Sequence, residues 1–148
     1  MSAGVAATSI GSARAYKIAP TDTNYFAVLF EPKADEVENV YVVEIFNERG
    51  QTPPNVHHAA HEFFYVLAGE GIAECDGAKI ALKAGSAMLL RPGHEHVVVN
   101  TGPGKLYTLT IMTPNEGFAE LILKGIPVEL DEEDLSILER LPKGAAKS

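Results

Sequence analysis

The stretch Gly50-Gln-Thr-Pro-Pro-Asn-Val-His-His-Ala-Ala-His-Glu-Phe-Phe-Tyr-Val-Leu-Ala-Gly69 decides the fold. Its second half has the composition of a strand that stops at a glycine. Successive strand side chains point to opposite faces, so Phe64, Val66 and Ala68 share the face of Glu62, while Phe63, Tyr65 and Leu67 take the other. His57 precedes Glu62 by an odd number of residues, so an unbroken strand would hold the two apart. They converge only if the chain turns across His58-Ala59-Ala60-His61 and Glu62 opens the next strand. His57 and His61 also stand at i, i+4, the spacing of paired zinc ligands on a helix. Pro53-Pro54 before them and the Phe-Phe-Tyr-Val-Leu run after them favour strand instead.

Short strand signals with turn chemistry continue on both sides. Tyr25–Phe30 ends at Glu31-Pro32, Lys33 to Asn39 reads as a charged loop, and Val40–Phe46 is rich in β-branched and aromatic residues. After Glu62–Ala68 come Ile72–Cys75, Lys79–Lys83, Ala87–Leu90, His96–Asn100 and Leu106–Thr113. Asp76-Gly77 is a strong hairpin signal, because both central positions of a type I′ turn need positive φ. This rhythm implies an all-β sandwich or barrel. The tail changes period: Gly117–Lys124 and Glu132–Leu141 carry apolar residues at helical spacing, with Asp131 as N-cap and Asp134 as its capping-box partner. The expected organisation is an N-terminal arm over residues 1–15, a β-barrel over 16–115 and a helical tail over 116–148 packed on the barrel.

Composition limits the function classes. A chain of 148 residues with 46% hydrophobic content suits one domain with a full core. A net charge of -8 argues against nucleic acid and anionic membrane surfaces as partners, since both demand basic patches. No apolar run approaches the roughly 20 residues of a membrane span. Met1 to Ser12 lacks the basic start and apolar core of a secretory signal, so a cytoplasmic protein is expected. Cys75 is the single cysteine, which rules out an intrachain disulfide.

All five histidines fall in two windows, His57, His58 and His61 in one, His94 and His96 in the other. Two separated histidine clusters with an acid nearby have the ligand types of a metal site. Across Arg91-Pro92-Gly93-His94-Glu95 the chain re-enters a strand in which His96, Val98 and Asn100 share a face.

Here the sequence resembles the cupins. Gly50, His57, Glu62 and Gly69 fall into the first cupin motif, and Gly85, Gly93, His96 and Asn100 into the second. The resemblance implies a small single-domain cupin, a double-stranded β-helix (jelly roll) with short C-terminal helices. It implies one divalent ion, Fe, Mn, Ni, Co or Zn, held by His57, Glu62 and His96. Asn55 stands where the family usually has its first metal histidine, and it is expected to ligate weakly or through water. Two histidines and one carboxylate resemble a facial set that leaves positions open for substrate or dioxygen. Arg91 stands where the second motif has proline.

His94 and Arg91 are candidates for catalytic roles, His94 as an acid or base at the barrel mouth and Arg91 as a clamp for an anionic group. The functions implied are a metal-dependent dioxygenase, isomerase or decarboxylase acting on a small organic molecule, or a non-catalytic module that binds or senses a small ligand. A metal-free epimerase would need a further histidine outside the two motifs. The family also implies a homodimer, with Phe63, Tyr65 and the tail meeting a second subunit.

Overall fold

The computed structural model describes residues 4–140. Among these described residues, ten strands form two antiparallel sheets. In the larger sheet the order is β10 (Ile126–Val128), β1 (Arg14–Lys17), β2 (Asn24–Phe30), β3 (Val40–Phe46), β9 (Leu106–Thr113), β4 (His61–Ala68) and β7 (Ala87–Leu90). The smaller sheet is β6 (Ala78–Lys83), β5 (Glu70–Cys75) and β8 (His96–Asn100). The segment before β4 runs beside β8 through bridges at Gln51–Val99 and Asn55–His96. The all-β expectation holds, and most strand limits fall within a residue or two of the sequence reading.

The alternation read from Glu62 is the alternation that packs the core. Glu62, Phe64 and Val66 are buried, whereas Tyr65 and Leu67 are exposed. Phe64 and Val66 meet Phe46, Met88, Leu90, Val98 and Leu106 between the sheets. The Asp76-Gly77 turn has φ 52° and 78° at its two central residues, as a type I′ hairpin requires. Gly69 has φ 97°, and a Cβ there would lie 2.6 Å from the Lys105 carbonyl oxygen. Glycine therefore meets two demands at once: a left-handed backbone and a close neighbouring strand.

Strands β2, β3 and β9 are buried on both faces, which explains why Val40–Phe46 is nearly continuous in apolar residues. One face looks into the sandwich. The other, carrying Tyr25, Ala27, Val43, Ile45 and Tyr107, is covered by residues such as Ile10, Leu130 and Leu138. Leu138 comes from α3 (Glu132–Leu138), whose N-terminus has the anticipated capping box between Asp131 and Asp134. Phe118, Ala119 and Ile122 of α2 (Phe118–Leu123) close the other end of the core against Phe26, Val40 and Met112.

Two local assignments need correction. The charged loop after β2 contains a one-turn helix, α1 (Pro32–Asp35), because the Glu31 carboxylate caps the amides of Lys33 and Ala34. The tail also contributes the strand β10, paired with β1. Its sequence, Ile-Pro-Val, gave no strand signal, and proline is tolerated there because β10 lies at the sheet edge. The expected helical position Leu141 lies outside the described residues. Phe63 is half-buried, and Tyr65 and Leu89 are 40% and 49% exposed, so the face expected to meet a second copy is open in the single chain.

Asp134 joins α3 to the sheet. Its fully buried carboxylate accepts hydrogen bonds from the Tyr25 hydroxyl at 2.7 Å, the Tyr107 hydroxyl at 2.8 Å and the Lys105 ammonium at 3.0 Å. Burial first, then Asp134, pushes both tyrosine hydroxyls well above their ordinary range, so they stay protonated donors. Asp134→Ala strips these buried groups of their acceptor. It is expected to cost about 3 kcal/mol, read as a lower urea midpoint at unchanged slope.

Candidate metal centre

His57, Glu62 and His96 come from three separate segments, and the sheet pairing brings them together. Glu62 is the second residue of β4, paired with Leu90 of β7 and Met112 of β9, and its side chain points into the sandwich. His96 opens β8, and its amide and carbonyl form a two-way bridge with Asn55 at 2.8 and 3.0 Å. His57 follows Asn55 by two residues, and its carbonyl accepts from the Gly93 amide at 2.7 Å. The turn at residues 58–60 supplies the parity break that the sequence demanded.

The side chains converge on one atom. His57 Nε2 and His96 Nε2 each lie 3.1 Å from Glu62 Oε1. All three residues are buried, and one potential donor atom from each falls within 4.8 Å of the others. Among the described residues this is the cluster of His, Cys, Asp or Glu able to hold an ion.

The tautomer of His96 fits that use. Its Nδ1 lies 3.1 Å from the His94 carbonyl oxygen, which can only accept, so Nδ1 carries the proton. In the neutral ring Nε2 then offers a lone pair at the cluster, the arrangement by which a second contact orients a ligating histidine. Without an ion, burial resists charge on His96, but the hydrogen bond and negative charge of Glu62 outweigh it and hold the imidazole above its usual value. Burial likewise works to raise the Glu62 carboxyl, but the two histidine hydrogen bonds win and lower it. An anion is thus maintained in the interior by two nitrogen donors. The donor set fits a divalent transition ion.

Asn55 sits beside the cluster, with Nδ2 3.4 Å from His57 Nε2. His58 is exposed and His61 half-buried; neither belongs to the cluster. The two candidate catalytic residues lie at the surface. Arg91 is exposed and does not line the central cavity. His94 is half-exposed and pairs with Asp76 at the surface, 2.5 Å from its carboxylate. Its contribution to the centre is the backbone carbonyl that orients His96. Asn100 also has a structural duty: its side-chain amide donates to the carbonyls of Asn47 and Gly104 at 2.9 and 2.8 Å.

Two acids escaped the sequence reading. Glu116 accepts the backbone N–H groups of His58, Ala59 and Ala60, at 3.0, 2.5 and 2.9 Å, fixing the turn that positions His57. Its Oε2 lies 3.9 Å from His57 Nδ1. Glu44 is 2% exposed on β3. It had a legible signal: Val40, Val42, Glu44 and Phe46 share the inward face, so period-two alternation puts a carboxyl in the core.

These groups surround a cavity of about 390 Å³, whose wall includes Asn24, Phe26, Glu44, Phe64, Met112 and Phe118 together with Asn55 and the cluster. Burial, then the negative charge of Glu62, pushes the Glu44 carboxyl up to about 8, against hydrogen bonds from Asn24 and Thr110.

The comparisons agree with the fold. The cupin-domain family model matches residues 36–112, just over half of the chain, and the chain belongs to the cupin family. An oxalate-binding protein of Thermotoga maritima is 32% identical over 56 residues, a match covering 38% of this chain and 46% of that protein. The match therefore spans less than half of that relative's length. A crystal structure described as a predicted oxalate decarboxylase from Thermotoga maritima superposes with a TM-score of 0.57 at 23% identity, covering 60% of this chain and 78% of that chain. KdgF from Halomonas sp. superposes with a TM-score of 0.55 at 18% identity, covering 65% of this chain and 84% of that chain. These structural likenesses establish the double-stranded β-helix. No helix among the described residues is long and apolar enough to cross a membrane.

The raised Glu44 pKa has a consequence for stability. An unfolded glutamate loses its proton near 4.5, whereas folded Glu44 keeps it to about 8. Between these values the unfolded state binds fewer protons, so this group's contribution makes stability fall as pH rises. Metal-free Glu44→Gln is expected to match the wild type near pH 4 and to gain in melting temperature over it up to pH 8, measured by thermal denaturation across that range.

Proposed function

We propose that this chain is a metal-dependent cupin that binds one divalent transition ion through His57 Nε2, His96 Nε2 and Glu62, and acts on a small organic molecule in the adjoining cavity. The observation that carries this reading is the convergence of two imidazole nitrogens on one buried carboxylate oxygen. Fe, Mn, Ni, Co and Zn all suit such donors. Asn55 flanks the set and is assigned a weak or water-mediated contact. The oxalate relatives support a small polar ligand as the general class.

The bound ion would polarise a ligand oxygen and stabilise charge that develops there. The chain's own residues supply the setting. Glu116 holds the His57 turn, the His94 carbonyl orients His96, and Phe26, Phe64, Met112 and Phe118 give the cavity an apolar wall. Glu44 adds a carboxyl group to the same cavity, which in the metal-free chain burial and the Glu62 charge push up to about 8. A buried carboxyl beside a ligand site supports proton-transfer chemistry, of the isomerase or decarboxylase kind.

The metal reading is tested on untagged, chelator-stripped protein by calorimetric titration with Mn(II), Co(II), Ni(II) and Zn(II), and with Fe(II) under anaerobic conditions. One equivalent of at least one ion is expected to bind. Glu62→Gln and His96→Ala are expected to weaken that binding by more than the ~10–100-fold typical of outer-shell substitutions. Failure of all five ions to bind would overturn the assignment.

A further inference from the structure

The cavity beside the metal cluster changes character from floor to mouth. At its floor Glu62, Phe64 and His96 are buried. At its mouth Val56 and Leu121 are 42% and 51% exposed, although both are large and apolar. Pro53 and Pro54 stand exposed near Val56, and Ile18 is half-buried in the same wall. Three separate segments supply this rim: the chain after β1, the stretch beside β8 that precedes β4, and α2. In α2 the cause is helical spacing. Leu121 follows Phe118 by three residues, so it extends to the surface the face whose Phe118 ring meets Phe26 edge-on at 5.3 Å. A single exposed apolar side chain needs no explanation. Five of them, gathered from three segments around one mouth, mark a binding surface.

The polar side chains of the rim are already engaged by the chain itself. The Asp22 carboxylate accepts the Ala19 amide at 3.1 Å, and the Thr52 hydroxyl accepts the Val98 amide at 3.0 Å. Glu116 accepts the three amides of residues 58–60. What the rim offers an incoming molecule is therefore mainly hydrocarbon, whereas the donors that suit an ion lie at the floor. The volume of about 390 Å³ falls within the roughly 300–1,000 Å³ of pockets that enclose drug-sized ligands. That is room for more than a two-carbon molecule.

We infer that the ligand of this cavity is an amphiphile, with an oxygen-bearing head at the His57, Glu62 and His96 cluster and an alkyl or aryl tail lying on Val56, Leu121 and Ile18. The head rests on the metal reading; the tail rests on the rim alone. The oxalate in the relative's name has no such tail.

The test compares acetohydroxamate with hexanohydroxamate, which share a head that chelates metal through two oxygens and differ by four methylenes. Affinities are measured by calorimetry on the full chain, loaded with whichever ion binds in the titration above. Each methylene fully buried is worth roughly fourfold in affinity, so hexanohydroxamate is expected to bind at least tenfold more tightly. Val56→Ser and Leu121→Ser change exposed positions. At least one is expected to cut that gain threefold or more, with acetohydroxamate affinity and metal stoichiometry unchanged. On the metal-free chain, 1-hexanol and ethanol are titrated at equal concentrations and followed on the methyl resonances of Val56 and Leu121. Hexanol alone is expected to shift both, saturably.

Where an ion binds, the proposal is overturned if neither hydroxamate binds, if the two bind equally, or if both folded variants keep the full gain. Equal binding overturns it even if sedimentation shows a second copy seated over the mouth. Should circular dichroism show that neither variant folds, the methyl shifts decide where the tail lies. Where no ion binds, the metal reading falls by itself and the methyl shifts again decide. In either case saturable shifts with hexanol support the tail site, and their absence overturns it.

Discussion

Everything at the centre depends on one buried carboxylate, that of Glu62. Burying an anion is expensive unless donors meet it, and here the donors come from elements far apart in sequence. His57 arrives on the segment alongside β8, His96 at the start of β8, and Glu62 on β4 in the opposite sheet. The ion-pair geometry therefore also fixes how the two sheets face each other at this end of the sandwich. The apolar packing of Phe46, Phe64, Val98 and Leu106 deeper inside supplies the drive to close the sheets. The carboxylate and imidazoles select the register in which they close.

Much of this was legible before folding because the signals were local. The strand at Val40–Phe46 declares itself through β-branched and aromatic residues, and the Asp76-Gly77 turn through backbone conformations few residues adopt. The Asp131–Asp134 capping box needs only residues three apart. The parity argument at His57 and Glu62 was the most informative step, since it required a break in the strand after His57, and the chain turns at residues 58–60 before β4 begins at His61. The ligand-type cluster followed, because two strand starts facing the same interior must bring His57, Glu62 and His96 into one neighbourhood.

What was not legible was long-range or ambiguous in kind. Glu116 clamps the amides of residues 58–60 from more than fifty positions away, and nothing in its own surroundings announces that task. Strand β10 is three residues with a central proline; it exists because β1 offers an edge, a tertiary fact. Arg91 and His94 were candidates as an anion clamp and as an acid or base at the barrel mouth; both are exposed, and their side chains do not line the central cavity. Glu44 differs. Its inward parity could be read from the sequence, but an acid in an otherwise apolar strand is weighed correctly only once Asn24, Thr108 and Thr110 are seen around it.

The Glu116 carboxylate has a mechanical meaning as well. It grips the backbone of residues 58–60 and sits immediately before Gly117, the N-cap of α2, whose Phe118 and Leu121 form part of the cavity wall. The wall helix and the turn behind a metal donor are thereby yoked. Any displacement of α2 that admitted a larger molecule would pull on the turn beside His57, so the width of the chamber and the reach of the imidazole are set by one linkage rather than two.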